Sequence, residues 1–330
     1  MNSGENEMSE KWLAGIDIGG TSIKLAFFTE TGELVHKWEI PTNKDNRGMA
    51  IISEVGDSVQ SKLIELHGDV SPLVAAGVGA PGPVDTDKGL LFEAVNIGWQ
   101  DNFPLRDLMQ SALNVPVAID NDANVAALGE MWKGAGKGSK DLICITLGTG
   151  VGGGIIYKGD IVHGSKGAAG EVGHITSVSN GGYMCNCGKT GCLETVASAT
   201  GVVRTALDKL KVYDGESLLK PIVESSGTVT AKDVFDAAAK GDKLANEIVE
   251  LLADYLGIAL ANSSAILNPE KIVIGGGVSK AGDILLTPLR AKYKKYAFKP
   301  IAENTEILLA ELGNDAGIVG AAWLAANKIG

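Results

Sequence analysis

A mixed α/β fold of two packed lobes is what the 330-residue sequence predicts, and three observations predict it. The length exceeds what one hydrophobic core usually fills. Short β-branched strands alternate with stretches of helical spacing. A pattern of strand, Gly/Thr turn, strand, turn and strand occurs at 12–40 and again from 141, which suggests two related halves.

The opening pattern runs "WLAGIDI", "GGT", "SIKLAFF", "TETG" and "ELVHKWEI", a three-stranded meander. Apolar helical spacing follows at 49–66, then a buried strand, "LVAAGVGA" at 73–80, that stops at Pro81. "VPVAI" and "NDANVAALGEMW" read as a strand feeding a helix near 120–132, with Asn and Asp where a helix is capped. "DLICITLGTGVGGGIIYKGDIVHG" repeats the opening pattern, and Thr149 follows its glycine as Thr21 follows Gly20. Helical patterns dominate 195–268, a strand "KIVIGGG" occupies 271–277, and a helix and a strand near 305–311 precede the closing "AGIVGAAWLAANK". No Pro/Ser-rich linker divides the halves, so a hinge is expected to join them.

Hydrophobic residues make up 45% and charged residues 21%, and no apolar run reaches the roughly 18 residues of a membrane span. A soluble, cytoplasmic protein with no membrane partner is expected. "MNSGENEMSEKW" has no apolar leader, and residues 1–11 read as a disordered tail. The net charge of −11 argues against a nucleic-acid partner, which needs a basic face.

In "IDIGGTSIKLAF" a plain hairpin with glycines at positive φ would account for the turn. It would not account for Asp17 at a strand end, nor for Thr21 and Lys24 after the glycines. Backbone N–H groups at Gly19, Gly20 and Thr21 can cradle phosphate, with Thr21 and Lys24 adding a donor and a charge. "LGTGVGGG" satisfies G-x-G-x-x-G through Gly148, Gly150 and Gly153, but strand-like "IIYKGDIVHG" follows where a dinucleotide site needs a helix. "GKT" at 188–190 has Tyr183 where a P-loop needs its first glycine.

The densest chemistry lies in "GHITSVSNGGYMCNCGKTGCLE" at 173–194, with Cys185, Cys187 and Cys192 close together. Disulfides do not persist in a reducing compartment, three thiols cannot pair off, and Cys-x-Cys is too tight for an unstrained bridge. Three thiolates with His174 make a closed tetrahedral zinc site, structural because no position is left for water. Three reduced cysteines are the plainer alternative. Cys144, in an apolar strand, reads as core. Such a zinc would hold His174 and Glu194 in place, with Glu171 three residues upstream; taken alone, each carboxylate could be a cap or solvated. In "AIDNDANVAALGE", Asp120, Asn121 and Asp122 follow an apolar strand at a helix start. One of them suffices as the cap, and an ionised Asp122 can accept a hydroxyl proton while Asn121 orients the substrate.

Together "DIGGT", "GAPGPVD", "NDAN", "LGTGVGGG", "GEVGHI", "CNCGKTGCLE", "IGGGVS" and "GNDAGIVGAAW" resemble the ROK family of sugar kinases, most closely the glucose-phosphorylating members of Bacillus-like bacteria. The likeness covers essentially all of the chain after residue 11, and the zinc segment is its most specific part. It implies an actin-like, hexokinase-like (ribonuclease H-like) duplicated two-lobe ATPase fold, with a small lobe at 12–122 plus 312–330 and a large lobe with the zinc loop at 123–311. It also implies glucose and ATP with Mg2+ in a cleft, a homodimer, and transfer of the ATP γ-phosphoryl group to the glucose 6-hydroxyl. By the same resemblance Asp122 is the base, and Asn121, Glu171, His174 and Glu194 are sugar ligands. The turns at 19–21 and at Gly148, Thr149 and Gly150 are phosphate loops, and Gly275, Gly276 and Gly277 hold the nucleoside. Asp120 departs from the family pattern, where Glu commonly precedes "NDAN", which bears on local sugar geometry. The same acid residues could serve an N-acetylmannosamine, N-acetylglucosamine or fructose kinase. The family also contains sugar-sensing repressors, whose helix-turn-helix has no room in the dozen or so residues before the first strand.

Overall fold

The computed structural model describes residues 10–92, 94, 97–99 and 102–329. Of the expected tail at 1–11, residues 1–9 lie outside the described residues. The chain divides into two compact units: one runs up to Trp132 and adds His163–Ala168 and the chain from Asp315, and the other comprises Lys133–Val162 and Ala169–Asn314.

In the first unit β1 (Trp12–Ile18), β2 (Ser22–Thr29) and β3 (Leu34–Pro41) form the expected antiparallel meander. A one-turn segment α1 (Asp45–Gly48) and α2 (Ala50–His67) lead to β4 (Leu73–Ala80). A ribbon of β5 (Val84–Asp85) and β6 (Leu90–Leu91), then α3 (Leu105–Leu113), precede β7 (Val117–Asn121) and α4 (Asp122–Lys133). The sheet order is β3-β2-β1-β4-β7, with β1, β4 and β7 parallel. β1 and β4 read as nearly continuous apolar runs because parallel central strands are covered on both faces, whereas β3, at the edge, is largely exposed. Ile16, Phe27, Ile51 and Met109 belong to this unit's core.

The second unit begins with β8 (Leu142–Leu147), β9 (Val151–Tyr157) and β10 (Asp160–Ile161). A helical stretch of α5 (Glu194–Ala197), α6 (Ala199–Leu210), α7 (Leu219–Ser226), α8 (Ala231–Ala239) and α9 (Lys243–Leu267) follows, then β11 (Lys271–Gly275), α10 (Asp283–Tyr296), α11 (Lys299–Asn304) and β12 (Glu306–Leu309). The long α9 starts at Asp242, whose side chain accepts from the Ala245 N–H at 2.8 Å, and buries Leu252, Leu256 and Leu260 along one stripe. The sheet order is β10-β9-β8-β11-β12, antiparallel across β8/β9 and parallel across β8/β11/β12. Strand for strand this repeats the first sheet. It is the duplicated ribonuclease H-like fold, actin-like and hexokinase-like, that the resemblance implies.

The closing helix α12 (Ala316–Lys328) packs in the first unit. A Cβ at Gly77 of β4 would overlap the Ala321 carbonyl, and one at Gly320 would overlap the Val125 carbonyl. The bare glycines therefore let α12 lie directly against β4 and α4. That packing keeps α4 with the first unit, so the division falls after Trp132 and not at 122. No helix among the described residues is long and apolar enough to cross a membrane.

Candidate functional site

The candidate residues of the first unit gather at the carboxyl ends of its parallel strands, where open α/β sheets place ligands. Asp17 pairs in register with Gly79, and Gly79 with Asp120. Asn121 is the helix cap: its Oδ1 accepts from the N–H groups of Ala123 (2.9 Å) and Asn124 (3.3 Å), and its Nδ2 donates to the Gly82 carbonyl at 3.0 Å. The second amide hydrogen remains for a ligand. With capping done by Asn121, Asp122 stands exposed on the first turn of α4, its Oδ1 accepting from the Ala123 N–H at 2.8 Å. Negative charge is favoured at that end of a helix.

Asp17 lies against the start of α12, where a Cβ on Gly317 would overlap its carboxylate. Burial raises its pKa to about 6; Lys24, its partner across β2, lowers it, and Asp122 adds to the rise. Lys24, expected as a phosphate donor, thus faces a carboxylate. The turn itself differs from a plain hairpin, because neither Gly19 nor Gly20 has a positive φ. A Cβ at Gly19 would stand 2.7 Å from the Ser22 carbonyl oxygen, so close approach is what requires glycine there. Thr42 clamps the turn, its hydroxyl donating to the Gly19 carbonyl (2.7 Å) and its N–H to the Thr21 carbonyl (3.0 Å). Two residues on, the Lys44 Nζ lies 4.0 Å from where a Cβ of Gly20 would be.

In the second unit Gly148, Thr149 and Gly150 link β8 to β9, closed by the Gly148 N–H to the Gly150 carbonyl at 3.0 Å. Glu194, first residue of α5, reaches back to this turn: its Oε2 accepts from the Val151 N–H at 3.0 Å, and a Cβ on Gly150 would overlap it. Thr149, Gly150, Cys185, Glu194, Ser198 and Arg204 are among the residues lining a cavity of about 230 Å³. Gly275 ends the parallel strand β11, with Gly276 and Gly277 after it; Gly276 has φ +83° and comes within 2.5 Å, measured from an added Cβ, of the Leu147 carbonyl oxygen. Glycine is required there twice over, by conformation and by space.

The loop that carries the three thiols is built by chain crossings. Gly191 donates to the Tyr183 carbonyl, Cys185 to that of Lys189, and Leu193 to that of Ile175. Tyr183 anchors it to α6, its hydroxyl donating to Asp208 at 2.6 Å with Arg204 over its ring; burial and the Asp208 bond raise its pKa to about 12. The ligand atoms of His174, Cys185, Cys187 and Cys192 lie within 4.8 Å of one another. Cys185 Sγ is 3.6 Å from His174 Nδ1, and Cys187 Sγ is 3.6 Å from Cys192 Sγ. Tetrahedral zinc with Zn–S about 2.3 Å and Zn–N about 2.0 Å needs edges of about 3.8 Å (S to S) and about 3.5 Å (S to N), and these two edges match it within about 0.2 Å. Burial pushes the Cys192 thiol up to about 12 and raises Cys185, so a metal that takes them as thiolates must displace protons. His174 Nδ1 faces the thiols, and its Nε2 lies 3.9 Å from Glu171 Oε2, on the ring edge away from them. Glu194 Oε1 is 3.8 Å from Cys185 Sγ.

The ROK family profile matches residues 13–328. The chain belongs to the ROK family. A glucokinase of Halalkalibacterium halodurans is similar to it, 53% identical over 96% of this chain and 96% of that one. A Thermotoga maritima glucokinase is 37% identical over 96% and 98%. A ROK family glucokinase from Streptomyces griseus, solved in complex with glucose and AMPPNP, superposes with TM-score 0.75 at 34% identity, over 95% of this chain and 99% of that one.

Within this ROK chain, sequence reasoning passed over two residues beside the candidate site. Lys44 carries no local signal that aims it at Gly20. His163 meets buried Asp120 with its Nε2 at 2.7 Å from Oδ2, a pairing across 43 positions. No local pattern marks the pairing, since His163 lies two residues past the short strand β10.

Proposed function

We propose that this ROK chain is an ATP-dependent glucokinase of the cytoplasm, forming glucose 6-phosphate and ADP, and that it acts as a homodimer. What carries the reading is the 53% identity to a glucokinase across 96% of both chains. Asn121, Glu171, His174 and Glu194 bind the sugar hydroxyls, and a buried acceptor left unpaired by an analogue lacking one of them gives selectivity. Asp122 takes the 6-hydroxyl proton as that oxygen bonds to the γ-phosphorus, and the bond from phosphorus to the bridging oxygen of ADP breaks. The turns at Gly19, Gly20 and Thr21 and at Gly148, Thr149 and Gly150 offer N–H donors to the phosphates, Lys44 adds charge over the first, and Gly275, Gly276 and Gly277 take the nucleoside. Mg2+ carried by ATP would neutralise phosphate charge, and Asp17 is the carboxylate that would hold it.

The test is phosphorylation of glucose, mannose, fructose, N-acetylglucosamine and N-acetylmannosamine with Mg-ATP. Glucose is expected to lead in kcat/KM by roughly the 10- to 200-fold that a pocket discriminates on small groups. A lead for an N-acetylated sugar would change the substrate but keep the kinase; no turnover with any of them would end the reading.

The same proposal makes His174, Cys185, Cys187 and Cys192 a structural zinc site. Zinc removal is expected to raise KM for glucose by about 10- to 100-fold, since the ion orients His174 and steadies Glu194, while KM for ATP stays within about 2-fold. Metal analysis should find one zinc per chain, and unchanged glucose kinetics in a verified metal-free sample would defeat this assignment.

A further inference from the structure

Asp120 is 1% exposed, and a buried carboxylate is tolerated only when its lone pairs are filled. Oδ1 accepts from the Asn121 N–H at 2.7 Å and from Asn124 Nδ2 at 2.9 Å, and Oδ2 accepts from His163 Nε2 at 2.7 Å. Asn121 immediately precedes Asp122, and Asn124 lies in the same first turn of α4. One carboxylate therefore grips the chain on both sides of the proposed base. His163 in turn grips the carboxylate. It opens the short stretch His163–Ala168, which belongs to the first unit although the chain on either side belongs to the second. Gly167, at φ +68°, seats the far end of that stretch so closely on Val84 that a Cβ would overlap the Val84 carbonyl. His163 is thus presented to Asp120 from a short stretch fixed at both ends.

We propose that His163 is a positioning residue for the acceptor site: through Asp120 it fixes Asn121 and Asp122 in the geometry that sugar phosphorylation uses. The inference rests on the glucokinase reading for the reaction served. The histidine touches neither sugar nor nucleotide, and it acts by completing the bonds of Asp120.

The experiment compares His163→Leu, which removes the donor, with His163→Gln, which keeps an N–H, in the full chain. Two readouts are taken: steady-state kinetics, and amide hydrogen exchange of peptides spanning 117–128. His163→Leu is expected to lower kcat about 10- to 100-fold, the cost of a sub-ångström to 1 Å misplacement, with KM for ATP within about 2-fold. Exchange at 117–128 is expected to quicken while 142–161 stays as in the wild type, and His163→Gln should recover most of both. Unchanged kcat and exchange in His163→Leu would overturn the proposal, as would loss spread evenly over the chain with no recovery by Gln. If the Leu variant does not fold, Asp120→Asn, His163→Ala and their double variant decide: the Ala change, costly alone, should have little further effect once Asp120 is neutral, and full additivity would refute the coupling. A wild type that phosphorylates no hexose would sink the glucokinase reading alone, and the exchange readout would still decide whether His163 holds the 117–128 segment.

Discussion

Asp122→Asn is expected to lower kcat for glucose phosphorylation by about 10²- to 10⁴-fold, the range of a lost general base, while glucose affinity changes only a few-fold. The amide keeps the size and the hydrogen-bonding edge of the carboxylate but cannot take a proton. Loss of fold does not explain such an effect, because Asn121 caps α4. What Asp122 adds to the helix is its charge at the N-terminus, worth about 0.3–1 kcal/mol. Melting temperature should therefore move by a few degrees at most. Kinetics and calorimetric glucose binding on one preparation check the prediction. A variant that keeps more than a tenth of the wild-type kcat would remove Asp122 from the role of base, and a variant that loses glucose binding would make it a sugar ligand.

The strands were legible because their periods are local. "LVAAGVGA" is bounded as β4 runs, and the meander at 12–40 appears as β1, β2 and β3. The repeated pattern was legible for the same reason, and it recurs as the same strand order in the second sheet. α3 and the β5/β6 ribbon were passed over, although Leu105, Met109 and Leu113 carry helical spacing and are buried along one stripe of α3. The grouping of His174, Cys185, Cys187 and Cys192 was legible because thiol chemistry leaves few alternatives at that spacing, and the fold brings their donor atoms within 4.8 Å of one another. At the first glycine turn the plain-hairpin alternative fails, since Gly19 and Gly20 are not at positive φ, and close approach by the Ser22 carbonyl is a property of the folded turn that composition cannot distinguish from left-handed backbone. The Asp120–His163 pair lay out of reach for a different reason. Its partners are brought together by the strand end of β7 and the stretch after β10, so neither sequence window contains the other.

Asp17→Asn is expected to abolish most kinase activity, by about 10²-fold or more as for other groups that stabilise transferring charge, and at the same time to raise the melting temperature of the ligand-free protein at pH 7. The two effects share one cause. The Asp17 pKa stands at about 6 in the fold, against 3.8 for the free side chain, chiefly because burial disfavours the charge. Between those values the folded state binds more protons than the unfolded one, so stability falls as pH rises from about 4, and the whole cost is present above about 6. A shift of this size corresponds to on the order of 2–3 kcal/mol as an upper bound. Asn carries no such charge, so its stability advantage should be absent below about pH 4, grow through the window and level off above pH 6. Lys24 opposes the rise and Asp122 adds to it, so Asp122→Asn should narrow the same window from its upper end. Melting curves of wild type and Asp17→Asn from pH 4 to 8, with and without Mg-ATP, test both halves. Mg-ATP should stabilise the wild type more than the variant, because the ionised carboxylate then has a cation to face. A variant less stable than wild type at pH 7 would mean that the charge of Asp17 is already compensated in the empty protein, and full activity would mean that the charge faces no nucleotide-bound cation.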